Sequence, residues 1–194
     1  TAGDFGSGWY RIGAVQSAGL TLTAALSWLN ATVQEATAAL AGGVRATDPI
    51  FVPYLSGERT PFMDPSLRGS WLGLSLATDR AAMLRSVLEG VAQAVALGVE
   101  AVQASGVPLP EIVPLVGGGT QAPDFRQLLA DASGVALGVA DAPNAAVIGA
   151  AALARGITST PVPARMGQVC EPNAEASRLL AERRARMVLC AMDV

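Results

Sequence analysis

Apolar residues recur at helical spacing from Leu20 to Leu40, and Gly42-Gly43 ends the pattern, so a helix is expected over that span. Ahead of it, Trp9 to Val15 alternates weakly and predicts a short strand, with Gln16-Ser17-Ala18-Gly19 as the turn between them. Ile50 to Leu55 is apolar but bounded by Pro49 and Pro53, the mark of a strand end or an extended loop. Residues 56–68 form a polar loop punctuated by prolines. Ser70 to Leu76 then alternates as a strand, and Thr78 is placed to cap a long helix running to about Ser105. The remaining pattern predicts strand 112–116, helix 121–133, strand 135–140 and helix 144–155. Prolines beyond Thr158 suggest a linker, followed by an arginine-bearing helix from Glu171 to Met192.

Strands alternating with helices indicate an α/β domain with a mixed, helix-flanked sheet. In such sheets ligands sit beyond the carboxyl ends of the strands. The stretch at that place is Leu115-Val116-Gly117-Gly118-Gly119-Thr120, where an apolar run breaks into three glycines before a helix opens. Glycines there let a ligand approach the main chain with no Cβ in the way. The helix start adds unpaired N–H groups suited to phosphate. A tight strand-to-helix turn would use the same residues, and from spacing alone both readings stand. The stretch is neither a P-loop nor a GxGxxG fingerprint, since the chain has no GxxxxGK[ST] and no lysine at all.

The chain has 194 residues and a net charge of -3, with all 13 basic residues arginine and no histidine. The missing histidine removes Ser-His-Asp and Cys-His nucleophile chemistry. A pI near 4.9 argues against nucleic acid as a partner. Mean hydropathy is +0.40, yet no uncharged apolar run of about 18 residues occurs, so no membrane span is read. Cys170 and Cys190 lie far apart with no CxxC, which suits two incidental thiols in a reducing cytosol rather than a zinc site. The chain opens on Thr1 rather than methionine, which suggests a fragment or further leading residues.

Three blocks carry a resemblance. Residues 54–95, YLSGERTPFMDPSLRGSWLGLSLATDRAAMLRSVLEGVAQAV, hold a Gly-Glu-Arg-Thr-Pro loop, an Arg-Gly strand and a Val-Leu-Glu-Gly-Val-Ala helix. Residues 117–131 run Gly-Gly-Gly-Thr to Ala-Asp, and Asn144 to Ala154 form a small-residue helix. Ser17-Ala18-Gly19 precedes a helix ending in Trp28-Leu29. Over about residues 10–156 the chain resembles the carboxyl-terminal domain of the FGGY family of carbohydrate kinases, xylulokinases most of all. It departs at Ala82, where a polar residue is expected, and at Thr120, Ala122 and Phe125, which replace alanine, serine and tryptophan.

The resemblance implies an actin-like ATPase (ribonuclease H-like) fold over residues 1–157, the second half of a two-domain sugar kinase, with residues 158–194 as linker and helical tail. It implies ATP held by Gly19, Gly117, Gly118, Gly119 and Thr120, and Mg2+ bound mainly through the other half. The implied partners are the amino-terminal domain and a small sugar, D-xylulose first, with glycerol, ribulose and gluconate open; a homodimer also stays open. No catalytic residue is expected in this chain. The general-base aspartate belongs to a segment upstream, and Asp4 is read as a loop carboxylate. An isolated nucleotide- or protein-binding module without turnover is the alternative.

Individual residues carry further expectations. Thr120 is expected to cap its helix, with a ribose or phosphate contact open. Glu58 and Arg59 are expected to pair and pin the proline-rich loop. Glu89 is expected to be a buried carboxylate with Arg68 or Arg59 as partner. Arg126 is expected to face solvent, though a phosphate contact is within reach, and Asp131 is expected at a helix end or in packing.

Overall fold

The computed structural model describes residues 2–3, 8–9, 11–141, 144–156 and 165–192. Strands β1 (Ala2–Gly3) and β2 (Gly8–Trp9) pair antiparallel, as do β3 (Ile50–Val52) and β4 (Ser70–Leu72). The third sheet is mixed: β5 (Ile112–Leu115) runs parallel to β6 (Ala136–Asp141), which pairs antiparallel with β7 (Arg165–Cys170). The helices are α1 (Gly19–Trp28), α2 (Val33–Ala39), α3 (Arg80–Ala104), α4 (Pro123–Ser133), α5 (Ala145–Ala154) and α6 (Ala174–Met192).

Helix α3 is the spine. Leu84, Leu88, Val91 and Ala92 on it pack in one cluster with Leu26 of α1, Ala36 of α2 and Leu128 and Leu129 of α4. Each such leucine contributes about 1.5–3 kcal/mol by leaving water. By length and composition alone α3 could cross a bilayer, but most of its apolar window is buried inside the fold. Its apolar character is that of a core helix. Glycine lets α3 lie on β3, because a Cβ at Gly90 would stand 2.5 Å from the Phe51 carbonyl oxygen.

Several boundaries differ from expectation, each for a local reason. The periodic span 20–40 is two helices, because Asn30 takes a left-handed φ of 46° and Thr32 with Glu35 forms a reciprocal capping box that starts α2. The guanidinium of Arg80 secures the break by donating to the Asn30 carbonyl and to Glu35. Residues 11–16, expected to continue a strand, have no regular structure. There the Ala14 N–H and carbonyl bond to the Thr60 hydroxyl and N–H. Strand β4 stops at Leu72, since Gly73 turns with φ 75°. The cap of α3 is Asp79, accepting from the Ala82 N–H at 2.7 Å, while the Thr78 hydroxyl accepts from Ser75 one turn earlier.

The segment expected as linker and tail contributes to the sheet and the core. Residues 157–164 lie outside the described residues, but β7 pairs with β6 along Leu137↔Cys170 to Asp141↔Arg165. Asn173 caps helix α6, its side chain accepting from the Glu175 and Ala176 N–H groups. Met187 and Ala191 then pack with Ile50, Val52 and Tyr54.

Candidate nucleotide site

The parallel strands β5 and β6 end side by side, and each chain then turns toward a helix. After β5, Gly117 takes φ 108°, a value glycine supplies without a Cβ penalty, and Gly118–Thr120 form a single 3-10 turn before α4. After β6 the chain reaches Asn144 and the start of α5. These ends enclose a cavity of about 750 Å³, lined by Gly117, Gly118, Arg126, Asn144, Ala145 and Gln168 among others. That is the size range of small-molecule sites. Among the described residues, a Cβ at Gly117, Gly118 or Gly119 would meet no atom within 4 Å, so no packing among them requires glycine at Gly118 or Gly119. The open space beside them suits a ligand approaching the main chain.

Arg126 is a correction to the sequence reading. It is 8% exposed rather than solvent-facing. Its guanidinium donates to the Gln121 carbonyl at 3.2 Å and to the Gln168 side-chain oxygen at 2.9 Å. Long side chains on helices lean back toward the N-terminus, which carries this one from α4 toward the glycine turn. Thr120 is not the cap of α4: the cap position is Ala122, with Pro123 opening the helix. Gln168 escaped sequence reasoning because β7 was read as linker.

Gly19 lies elsewhere, exposed at the first residue of α1 and outside the set that lines the cavity. Its position is controlled by Glu58. That carboxylate is buried and accepts from the N–H groups of Gln16 at 2.6 Å, Ser17 at 3.1 Å and Arg59 at 2.7 Å. The expected ion pair with Arg59 is therefore replaced by backbone bonds, and the Arg59 side chain is exposed. Such charge-assisted bonds from backbone donors are the strong ones. They tie the Gly-Glu-Arg-Thr-Pro loop to the segment leading into α1.

Glu89 is buried as expected, but its partner is Arg183 of α6, which donates to both carboxylate oxygens at 2.6 Å. Arg68 instead bonds the Pro65 and Leu67 carbonyls. Arg183 also donates to the carbonyls of Arg45, Ala46, Asp48 and Pro49. Beside it Arg85 forks onto both Asp48 oxygens at 2.7 Å. Burial pushes the Asp48 carboxyl up, but the hydrogen bonds from Arg85 and the Arg45 N–H, with the charges of Arg85 and Arg183, hold it below its ordinary 3.8. Asp131, buried within α4, accepts from the Gln127 amide and the Asn173 N–H, a packing role that joins α4 to α6. Asp4 lies outside the described residues. Cys170 and Cys190 are free. Among the described residues no group of three or more His, Cys, Asp or Glu side chains is placed to hold a metal ion.

An open glycine turn at the carboxyl ends of parallel strands lies where α/β sheets place their ligands. Comparison with known proteins agrees: the model of the FGGY family of carbohydrate kinases, C-terminal domain, matches residues 7–155. The chain belongs to that family, with the actin-like ATPase fold. The xylulose kinase of Escherichia coli (strain K12) is 44% identical over 90 residues, covering 46% of this chain and 18% of that protein. A glycerol kinase of Bordetella parapertussis is 38% identical over 119 residues, 60% of this chain and 23% of that protein. The crystal structure of a xyloylose kinase from Brucella ovis superposes with a TM-score of 0.72 at 28% identity, over 88% of this chain and 37% of that one. The chain thus spans well under half the length of these relatives.

Proposed function

We propose that this chain is the ATP-binding half of a cytosolic carbohydrate kinase that phosphorylates a small sugar, D-xylulose first among the candidates. The glycine turn opening onto the cavity at the strand ends carries the reading. The xylulose kinases among its relatives support the sugar; a glycerol kinase relative keeps other small polyols in view. Phosphoryl transfer depends mainly on positioning and charge stabilisation, so a cleft closed by two domains suits it. In this assignment Gly117–Gly119 and Thr120 hold nucleotide at the cavity, and Gly19, outside the cavity lining, closes its adenine side. The sugar, the general base and most magnesium ligands come from an amino-terminal partner domain.

The test separates binding from turnover. Titration of the chain with millimolar ATP and ADP should give heat and shift the amide resonances of Gly117–Gly119. A coupled ADP assay of the chain alone with xylulose should show no sugar-dependent turnover. Turnover surviving repurification would place a general base in this chain and overturn the division of labour. Absence of both heat and amide shifts would remove the nucleotide site.

A further inference from the structure

One oxygen of Asp131 is left over by the packing that joins α4 to α6. The residue is 8% exposed and forms no ion pair among the described residues. Its Oδ1 accepts from the Gln127 amide at 2.9 Å and the Asn173 N–H at 2.7 Å, while Oδ2 takes no hydrogen bond among the described residues. The other buried carboxylates are better served: Asp48 and Glu89 each meet a guanidinium, and Glu58 meets three backbone N–H groups. A buried carboxylate without a counter-ion is costly, so one that borders open space marks a place for a cation. That space exists. Asp131 lines a second cavity, of about 270 Å³, in the notch between the turn after α2, helix α4 and helix α6. Leu40, Val44, Leu128, Leu179 and Leu180 make its walls apolar. Asp124, two turns before Asp131 on the same face of α4, adds a second carboxylate, and no arginine lines this cavity among the described residues. An adjoining hollow that shares Val44, Ala176 and Leu179 brings Glu175 and Glu182 against one arginine, Arg178, so the surroundings stay negative.

We propose that this notch binds a small organic ammonium ion, whose N–H groups donate to Asp131 Oδ2 while its aliphatic body lies against the leucines. Two carboxylates beside aliphatic walls, with no third ligating side chain, suit such an ion better than a metal, which needs a shell of oxygen ligands. The volume lies just below the range of drug-sized ligands, which limits the body to a short chain. The site shares no lining residue with the nucleotide cavity, so it stands or falls apart from that assignment. Because α4 and α6 both line it, an occupant should also raise the melting temperature.

The experiment titrates n-hexylammonium chloride, 1-hexanol, sodium hexanoate and magnesium chloride into the full 194-residue chain, following the amide resonances of Gly43, Val44 and Asp131. The three organic probes share one aliphatic body and differ in the charge of the head. Hexylammonium should give saturable shifts at millimolar concentration, with an affinity about tenfold or more above that of hexanol, the scale of one charge-assisted contact. Hexanoate should give none, since the carboxylates repel it. Asp131→Asn keeps the shape and an oxygen acceptor while removing the charge. It should weaken hexylammonium by about tenfold and leave hexanol within about twofold. Ala176→Phe fills the notch and should weaken both, so it tests the location if Asp131→Asn does not fold; circular dichroism melts check each variant. Equal affinities for ammonium and alcohol overturn the proposal by making the notch a plain apolar hollow. Unchanged hexylammonium binding in folded Asp131→Asn or Ala176→Phe overturns it by moving the ligand elsewhere. The same saturable shifts from magnesium chloride overturn the choice of an organic ion, and no shift from hexylammonium with the wild-type chain removes the site.

Discussion

A Cβ at Gly90 would stand 2.5 Å from the Phe51 carbonyl oxygen and one at Gly57 would stand 2.6 Å from the Pro65 Cα; at Gly118 and Gly119 it would touch none of the described residues within 4 Å. The first region is closed. Its glycines let backbone meet backbone, its Glu58 bonds three N–H groups, and its ion pairs Glu89–Arg183 and Asp48–Arg85 have side chains 5% exposed or less. The second region is open, with bare main chain beside a cavity and one buried guanidinium in its wall. Glycine in a closed region answers to the fold, and a substitution there is felt as lost stability. Glycine in an open region answers to what comes from outside, so a substitution there should be felt only when a ligand is present.

The comparison breaks first, and hardest, at Arg183. Arg183→Ala leaves Glu89 buried without its forked partner and four carbonyls without their donor, so the chain should lose about 3–5 kcal/mol in urea unfolding. A loss below about 1 kcal/mol would mean that α6 is an appendage after all.

Asp48→Asn should come next, with a cost near neutral pH of a few kcal/mol, on the order expected for breaking a buried pair. Its pH dependence is the sharper readout. The carboxyl is held below its ordinary value in the folded chain, so its contribution is fully present above pH 3.8 and lost as pH falls through the lowered folded value. The stability gap between wild type and Asp48→Asn should therefore shrink on acidification below 3.8. A gap that stays constant down to the acid unfolding limit would count against the Arg85 pairing.

Gly90→Ala should cost about 1–3 kcal/mol, because helix and strand must part to admit the methyl group. A melting temperature equal to wild type would show that α3 and β3 are less tightly apposed than described.

The smallest stability effect belongs to Gly118→Val. With ordinary backbone angles and no neighbour to clash with among the described residues, it should stay within about 0.5 kcal/mol of wild type. Its ATP affinity should nevertheless fall by about tenfold, roughly 1.4 kcal/mol, because the side chain occupies the approach to the main chain. A folded Gly118→Val chain with unaltered ATP binding would move the nucleotide away from this turn.

Much of this was legible in the chain, and the parts that were not share a physical cause. The long helix α3, the strand–glycine–helix passage at 112–133 and the small-residue helix at 145–154 follow from periodicity and turn residues, which act within a few positions. The break at Asn30 was legible too, since Thr32 and Glu35 spell a capping box, but the continuous apolar spacing from Leu20 to Leu40 hid it. Strand β7 was obscured by the surrounding prolines, and its place is set by pairing with β6 rather than by its own pattern.

By itself, then, the sequence determined the alternation of strands and helices, the glycine turn that faces the cavity, and through its three motif blocks the family to which the chain belongs. Local backbone preference and side-chain periodicity suffice for the first two, because every interacting group lies within a turn or two. Tertiary structure decided the partners. Thirteen arginines are chemically alike, and only the packing of α6 on α3 makes Arg183, 94 positions away, the one that neutralises Glu89. In the same way β7 brings Gln168 to Arg126 across 42 positions, turning a helix-surface arginine into part of a cavity wall. Which charges meet in a low-dielectric interior depends on the whole chain path, and no local pattern encodes it.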